Sequence, residues 1–120
     1  MVGQLHSVVI DAPDAHSLAC FYAELLGMAV TKGGPGEDWV VVSGKGYRLA
    51  FQQAPDLQPP DWPDPSRPQQ FHLDIYVSDV DDAERQALAL GARRLPGEGG
   101  DFRVYADPAG HPFCFVWDAE

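Results

Sequence analysis

Hydrophobic and polar residues alternate along residues 71–78, which read Phe-His-Leu-Asp-Ile-Tyr-Val-Ser. A period of two is typical of a β-strand with one apolar face and one polar face. The apolar positions are expected to pack beneath helices, and they are Phe71, Leu73, Ile75 and Val77. The polar positions are expected to line a cavity, and they are His72, Asp74 and Tyr76.

Two other segments show helical spacing. The first follows Asp14, ends at Gly27 and has one apolar stripe, formed by Leu18, Phe21, Tyr22, Leu25 and Leu26. The second covers residues 80–90, follows Asp79 and ends at Gly91. Aspartate before a helix accepts hydrogen bonds from the free amides of the first turn, and glycine adopts the left-handed conformation that ends the helix. The sequence therefore predicts two capped helices.

These helices belong to an internal repeat. An offset of 65 places Ser7 on His72 and Asp14 on Asp79. Further strands are predicted at residues 4–11, 28–32, 38–43, 47–53, 92–95, 102–106 and 112–117. We predict a single domain, residues 1–120, built from a module at residues 1–53 and a module at residues 71–120. Residues 54–70 hold six of the eleven prolines, which indicates a semi-rigid connector.

Composition narrows the function classes. The chain has 120 residues, a 45% apolar fraction and 18 acidic against 8 basic residues, for a net charge of −10. This acidity argues against binding to nucleic acid or to an anionic membrane surface. No apolar run approaches the ~20 residues of a membrane span, and the first residues lack a signal-peptide pattern. Cys20 and Cys114 form no disulfide framework, so we expect a cytoplasmic protein.

Several motifs carry a family resemblance. They are His72 with Asp79 seven residues later, Phe-Tyr-x-x-Leu-Leu-Gly at residues 21–27 and Asp-Pro-x-Gly at residues 107–110. Together they resemble the glyoxalase/bleomycin-resistance/dioxygenase superfamily, also called vicinal oxygen chelate, and its glyoxalase-like subgroup in particular. The resemblance implies an α+β fold in which two tandem βαβββ modules form a curved mixed sheet around a cavity. It also implies a homodimer, which an open sheet edge would favour.

The same resemblance implies positions for metal ligands. Enzymes of the superfamily bind a divalent metal through the first and last strands of each module, which here correspond to Ser7, His72, Gln52 and Cys114. Relatives usually have histidine at the first position and glutamate or glutamine at the last, so Ser7 and Cys114 depart from the pattern. His6 is adjacent to Ser7, but strand alternation turns it toward the helices. We therefore expect no cofactor and no complete metal site; a divalent metal, if bound, would use His72, Gln52 and His6.

The expected ligand pocket combines residues from several strands, and it consists of Gln52, His72, Asp74, Tyr76, Trp39, Arg48, Cys114 and Ser7. Strand residues such as Arg48, Arg103 and Tyr105 have two interpretations, contact with a ligand or exposure to solvent. An arginine in the pocket of so acidic a chain would favour an anionic substrate group. Cys114 lies between two phenylalanines without a neighbouring cation, which favours a small buried filler over a nucleophile.

Three functions fit these observations. The first is binding of a small organic molecule in the sheet cavity without a metal, either for sequestration or for a reaction that needs no metal. The second is a metal-dependent lyase, isomerase or dioxygenase of the superfamily. The third is a regulatory module that acts through protein partners. The sequence favours the first.

Overall fold

The computed structural model describes residues 2–68 and 72–117 and divides the chain into two compact units, Met1–Leu57 and Gln58–Glu120. The first unit contains β1 (Val8–Ala12), α1 (Ala15–Leu26), β2 (Ala29–Lys32), β3 (Trp39–Gly44) and β4 (Tyr47–Gln53). The second unit contains β5 (Leu73–Tyr76), α2 (Val80–Leu90), β6 (Arg93–Glu98), β7 (Phe102–Ala106) and β8 (Pro112–Val116). The predicted α+β fold with two tandem βαβββ modules is confirmed.

Each unit forms its own four-stranded mixed sheet, and the two sheets have the same topology. The strand orders are β1-β4-β3-β2 and β5-β8-β7-β6. The first strand of each module runs parallel to the last, with Val8 opposite Leu49 and Leu73 opposite Phe113, and the remaining pairs are antiparallel. The repeat seen in the sequence is therefore a repeat of structure.

Both helices begin and end at the predicted caps. Asp14 accepts a hydrogen bond from the Ser17 amide at 3.1 Å, and Asp79 accepts one from the Asp82 amide at 3.1 Å. Gly27 and Gly91 end the helices with φ angles of 65° and 112°, a backbone region that residues other than glycine rarely adopt. Local sequence alone thus determines where α1 and α2 lie.

The core of the first unit lies between α1 and the sheet. Leu18, Phe21 and Tyr22 are buried on the inner face of the helix. The Tyr22 ring stacks on Phe51 of β4 with ring centroids 5.7 Å apart. Val40 of β3 is fully buried beside them. The opposite face of this sheet is consequently the one left for other contacts.

The core of the second unit is an aromatic cluster. Tyr105 of β7 packs against Phe113 and Phe115 of β8 with ring centroids 5.5 and 4.9 Å apart, and all three side chains are buried. The Tyr105 hydroxyl donates a 2.6 Å hydrogen bond to the Glu84 carboxylate on α2. The helix-facing side of this sheet therefore contains a polar contact within an apolar core.

Arg103 lies on the same helix-facing side. Its guanidinium pairs with Asp81 at 3.1 Å and with Glu84 at 3.4 Å. Tyr105 is therefore neither a ligand contact nor a solvent-facing residue, because it is buried and binds a carboxylate of α2. Arg103 binds carboxylates of the same helix, so its side chain is not simply directed into solvent.

The described part of the proline-rich connector contacts the second unit through Pro59 and Trp62. The Trp62 indole nitrogen donates a 2.7 Å hydrogen bond to the Pro96 carbonyl. Pro59 lies so close to Gly110 that a Cβ atom at position 110 would be 2.6 Å from the Pro59 Cβ, and Gly110 has a φ of +97°.

Within the described residues, neither helix has the length and apolar character that crossing a membrane requires.

Candidate functional site

The polar face of β5 has the predicted phase. His72, Asp74 and Tyr76 are exposed, while Leu73 and Ile75 between them are half-buried. Phe71, assigned to the same apolar face, lies outside the described residues. Asp74 stands opposite Cys114 in the parallel β5–β8 pair, which brings a buried cysteine to the exposed carboxylate. We call His72, Asp74 and Cys114 the His72 cluster.

The members of the His72 cluster contact one another through polar atoms. His72 Nε2 lies 3.1 Å from Asp74 Oδ1. Burial, together with the charge of Asp74 and a hydrogen bond to it, raises the pKa of the Cys114 thiol to about 11. The thiol therefore keeps its proton at neutral pH and donates it toward Asp74, which agrees with the expectation that Cys114 is not a nucleophile.

The His72 cluster also passes a geometric test for a metal site. Its imidazole nitrogen, carboxylate oxygen and sulfur all lie within 4.8 Å of one another. Zinc accepts these three donor types, and catalytic zinc sites keep three protein ligands and one open position. The sequence interpretation missed Asp74 as a third donor, although its position two residues after His72 placed it on the same strand face. Bound zinc would displace the thiol proton of Cys114.

The first unit lacks these donors at the corresponding positions. Asp74 pairs with Cys114, whereas the residue that corresponds to Asp74 by the repeat is Val9, which pairs with Ala50. Ala50 is thus the structural counterpart of Cys114. Gln52, which the resemblance made equivalent to Cys114, lies two residues further along β4.

The face of the first sheet that points away from α1 has three rows of side chains, which we call the first sheet face. The central row is apolar and consists of Val9, Ala50 and Val41, one from each of three neighbouring strands. A row on one side contains Asp11, Gln52 and Trp39. A row on the other side contains Arg48 and Ser43, and the Ser43 hydroxyl lies 2.9 Å from the Thr31 hydroxyl.

His6 does not point toward the helices, and that expectation is wrong. β1 begins only at Val8, so strand alternation does not extend back to residue 6. The exposed imidazole instead contacts Arg48, whose Nη1 lies 2.8 Å from Nδ1 and 2.9 Å from Nε2. Ser7, which lies between His6 and Val8, is half-buried. His6 and Arg48 therefore form a contact pair at one end of the first sheet face.

Comparisons with known proteins agree with this architecture. A family model described as "Glyoxalase-like domain" matches residues 7–116. A search of curated proteins finds no match.

Solved structures with the same fold include a glyoxalase-related enzyme from Fulvimarina pelagi, which is 21% identical, with 98% of this chain and 89% of that chain covered and a TM-score of 0.68. A glyoxalase/bleomycin resistance protein/dioxygenase family enzyme from Burkholderia phytofirmans PsJN is 18% identical, with 98% and 100% covered and a TM-score of 0.72. A possible glyoxalase from Bacillus cereus is 16% identical, with 97% and 99% covered and a TM-score of 0.70. At these identities the likeness establishes the fold alone.

Proposed function

This chain belongs to the glyoxalase-like domain family, and we propose that it binds a small organic molecule on the polar faces of its sheets, with His72 as the central contact. The observation that carries the proposal is the His72–Asp74 pair, in which an exposed carboxylate orients an imidazole on the face of the second sheet that points away from α2. The surface of a sheet that merely faces solvent needs no such pairing.

The pair also defines the chemistry that His72 offers to a ligand. We propose that His72 Nε2 directs a proton toward Asp74, because a carboxylate only accepts hydrogen bonds and the two atoms lie 3.1 Å apart. In the neutral ring the other nitrogen, Nδ1, is then an acceptor or a base. His72 therefore suits a ligand that presents a hydroxyl or amide proton, and Asp74 is its positioning residue.

The predicted partners and environment follow from the same proposal. The net charge of −10 supports a small molecule rather than nucleic acid or an anionic membrane as the partner. We propose a cytoplasmic homodimer that works without a bound metal, since Asp74 already lies 3.1 Å from His72 Nε2 and accepts a hydrogen bond from the Cys114 thiol.

A second candidate function is that of a metal-dependent lyase, isomerase or dioxygenase. The observation in its favour is the third donor, Asp74, which completes a set of imidazole, carboxylate and thiol within one unit. His72, Asp74 and Cys114 would hold a divalent ion such as zinc, which would polarise a substrate oxygen as a Lewis acid. The protein's own part would be to orient the imidazole through Asp74 and to supply the buried sulfur.

The test combines a metabolite thermal-shift screen with elemental analysis of protein purified without chelators. A stabilising metabolite should lose its effect in His72→Ala and Asp74→Asn and keep it in Arg85→Ala, which removes an exposed side chain of α2. A full screen without any stabilising ligand would contradict the proposal and favour an interaction module. Stoichiometric zinc that is lost in His72→Ala would establish the second candidate instead.

A further inference from the structure

Arg48 combines partial burial with the lack of a carboxylate partner, whereas Arg67 and Arg93, which also form no ion pair within the described residues, are exposed. Arg85, Arg94 and Arg103 each form an ion pair with a carboxylate of the second unit. Arg48 is half-buried on β4, and within residues 2–68 and 72–117 it forms no ion pair with a carboxylate. A chain with 18 acidic and 8 basic residues has ample carboxylates for this role. The positive charge of Arg48 is therefore left uncompensated.

The partner that Arg48 does have leaves this charge in place. A guanidinium only donates hydrogen bonds, and the two His6 ring nitrogens lie 2.8 and 2.9 Å from Nη1, so either one can be the acceptor. This contact holds the guanidinium on the sheet and adds no negative charge beside it. Because the contact to His6 uses Nη1, other N–H donors of the planar guanidinium remain available. Their arrangement matches the geometry of carboxylate and phosphate oxygens.

The surroundings of Arg48 define the rest of a ligand. Next to it along β4 lies the apolar row of the first sheet face, Val9, Ala50 and Val41. Beyond that row stand Asp11, Gln52 and Trp39, and Gln52 lies four positions after Arg48 along β4, a distance of about 13 Å. The surface thus offers a cation at one end, an apolar middle, and a carboxylate, an amide and an aromatic ring at the other end.

We propose that Arg48, held by His6, is an anion subsite that takes the carboxylate or phosphate group of a small organic ligand whose apolar body lies over Val9 and Val41, the accessible residues of the apolar row. The proposal names the ligand class and rests on the proposed function, namely that this chain binds small organic molecules. Arg48 acts by binding the anion, and His6 is a positioning residue.

The experiment uses matched probes and nuclear magnetic resonance of the full-length protein labelled with nitrogen-15. The probes are 3-phenylpropanoate and its neutral amide, which differ in charge but hardly in shape, and inorganic phosphate tests the anion alone. We expect the carboxylate to bind at least tenfold more tightly than the amide and to shift the Arg48 Nε signal. Arg48→Gln should abolish the preference, Arg48→Lys should retain part of it, and Arg85→Gln should leave it unchanged.

The outcomes separate this inference from the proposed function. Equal affinity for the two organic probes, or a preference that survives in Arg48→Gln, overturns the anion subsite. If such binding is also lost in His72→Ala, the proposed function stands without the subsite. If neither the probes nor the metabolites of the thermal-shift screen shift any signal, both proposals are overturned. An unchanged amide spectrum away from residue 48 in Arg48→Gln establishes that the variant is folded.

Discussion

Replacement of Tyr105 with phenylalanine is expected to lower the free energy of unfolding by about 1.5–3 kcal/mol, the range for a hydrogen bond to a charged group. The change removes only the hydroxyl that donates to Glu84 at 2.6 Å. The ring remains and keeps its packing against Phe113 and Phe115. Arg94 and Arg103 still contact the Glu84 carboxylate at 2.9 and 3.4 Å, which places the expected loss toward the lower end of the range.

The effect should depend on pH in a defined direction. The hydrogen bond from Tyr105 lowers the pKa of Glu84 below its ordinary value of 4.5, and the charges of Arg94 and Arg103 lower it further. A carboxyl group with a depressed pKa in the folded state contributes stability above its ordinary pKa and loses that contribution as the pH falls through the folded value. The difference between wild type and Tyr105→Phe should therefore be full at pH 7 and should shrink below pH 4.5.

The assay is urea unfolding followed by tryptophan fluorescence at pH 7 and at several values below pH 4.5. Tyr76→Phe is the matched control, because Tyr76 is 67% exposed and its replacement should change stability by less than about 0.5 kcal/mol. A double-mutant cycle with Glu84→Gln isolates the pairwise term. A Tyr105→Phe loss below about 0.5 kcal/mol, or one that is constant with pH, would refute the reasoning.

Three further predictions concern other parts of the molecule. Cys114, with a thiol pKa of about 11, should react with iodoacetamide at pH 8 more slowly than the less buried Cys20, and Asp74→Asn should accelerate the reaction of Cys114. Peptide mass spectrometry gives both rates, and equal rates for the two cysteines would contradict the raised pKa of Cys114. Leu73→Ala should lower the free energy of unfolding by about 2 kcal/mol because Leu73 is only half-buried, whereas His72→Ala should change it by less than about 0.5 kcal/mol. The reverse order in urea unfolding would mean that the faces of β5 are assigned one residue out of phase. Light scattering should give twice the chain mass of 13.1 kDa, since β1 and β2 each pair with a single strand of the first sheet in the described part of the chain, and a monomer at micromolar concentration would rule this out.

Period and capping in the sequence predict most of the fold, because both are local properties. Alternation of apolar and polar residues was enough to assign the two faces of β5. The caps Asp79 and Gly91 were enough to give the bounds of α2. The offset of 65 did not give the register of the last strands, because α1 has 12 residues and α2 has 11, so the offset is 64 after the helix. The offset of 64 relates Ala50 to Cys114 and Gln52 to Val116, so the position inferred from the resemblance lay two residues too far along β4.

The site was harder to predict than the fold because its contacts are not local. Alternation placed His72 and Asp74 together, but it could not show that the facing residue of β8 brings a thiol within reach of both. For the Tyr105 side chain, the sequence did not reveal that a carboxylate on α2 would meet it in the core. The His6–Arg48 contact depends on where β1 begins, and strand ends are poorly determined by pattern alone.

The close approach of Pro59 to Gly110 affects how mutational scans of this domain should be interpreted. Any side chain at position 110 must displace the connector and must also adopt a φ that L-residues avoid, so nearly all substitutions there should reduce the amount of folded protein. A scan that scores abundance and activity together would rank Gly110 beside His72. Intolerance at Gly110 would come from steric exclusion, whereas intolerance at His72 would come from the ligand contact that we propose for it. Separate abundance and binding scores would distinguish this structural constraint from the functional one.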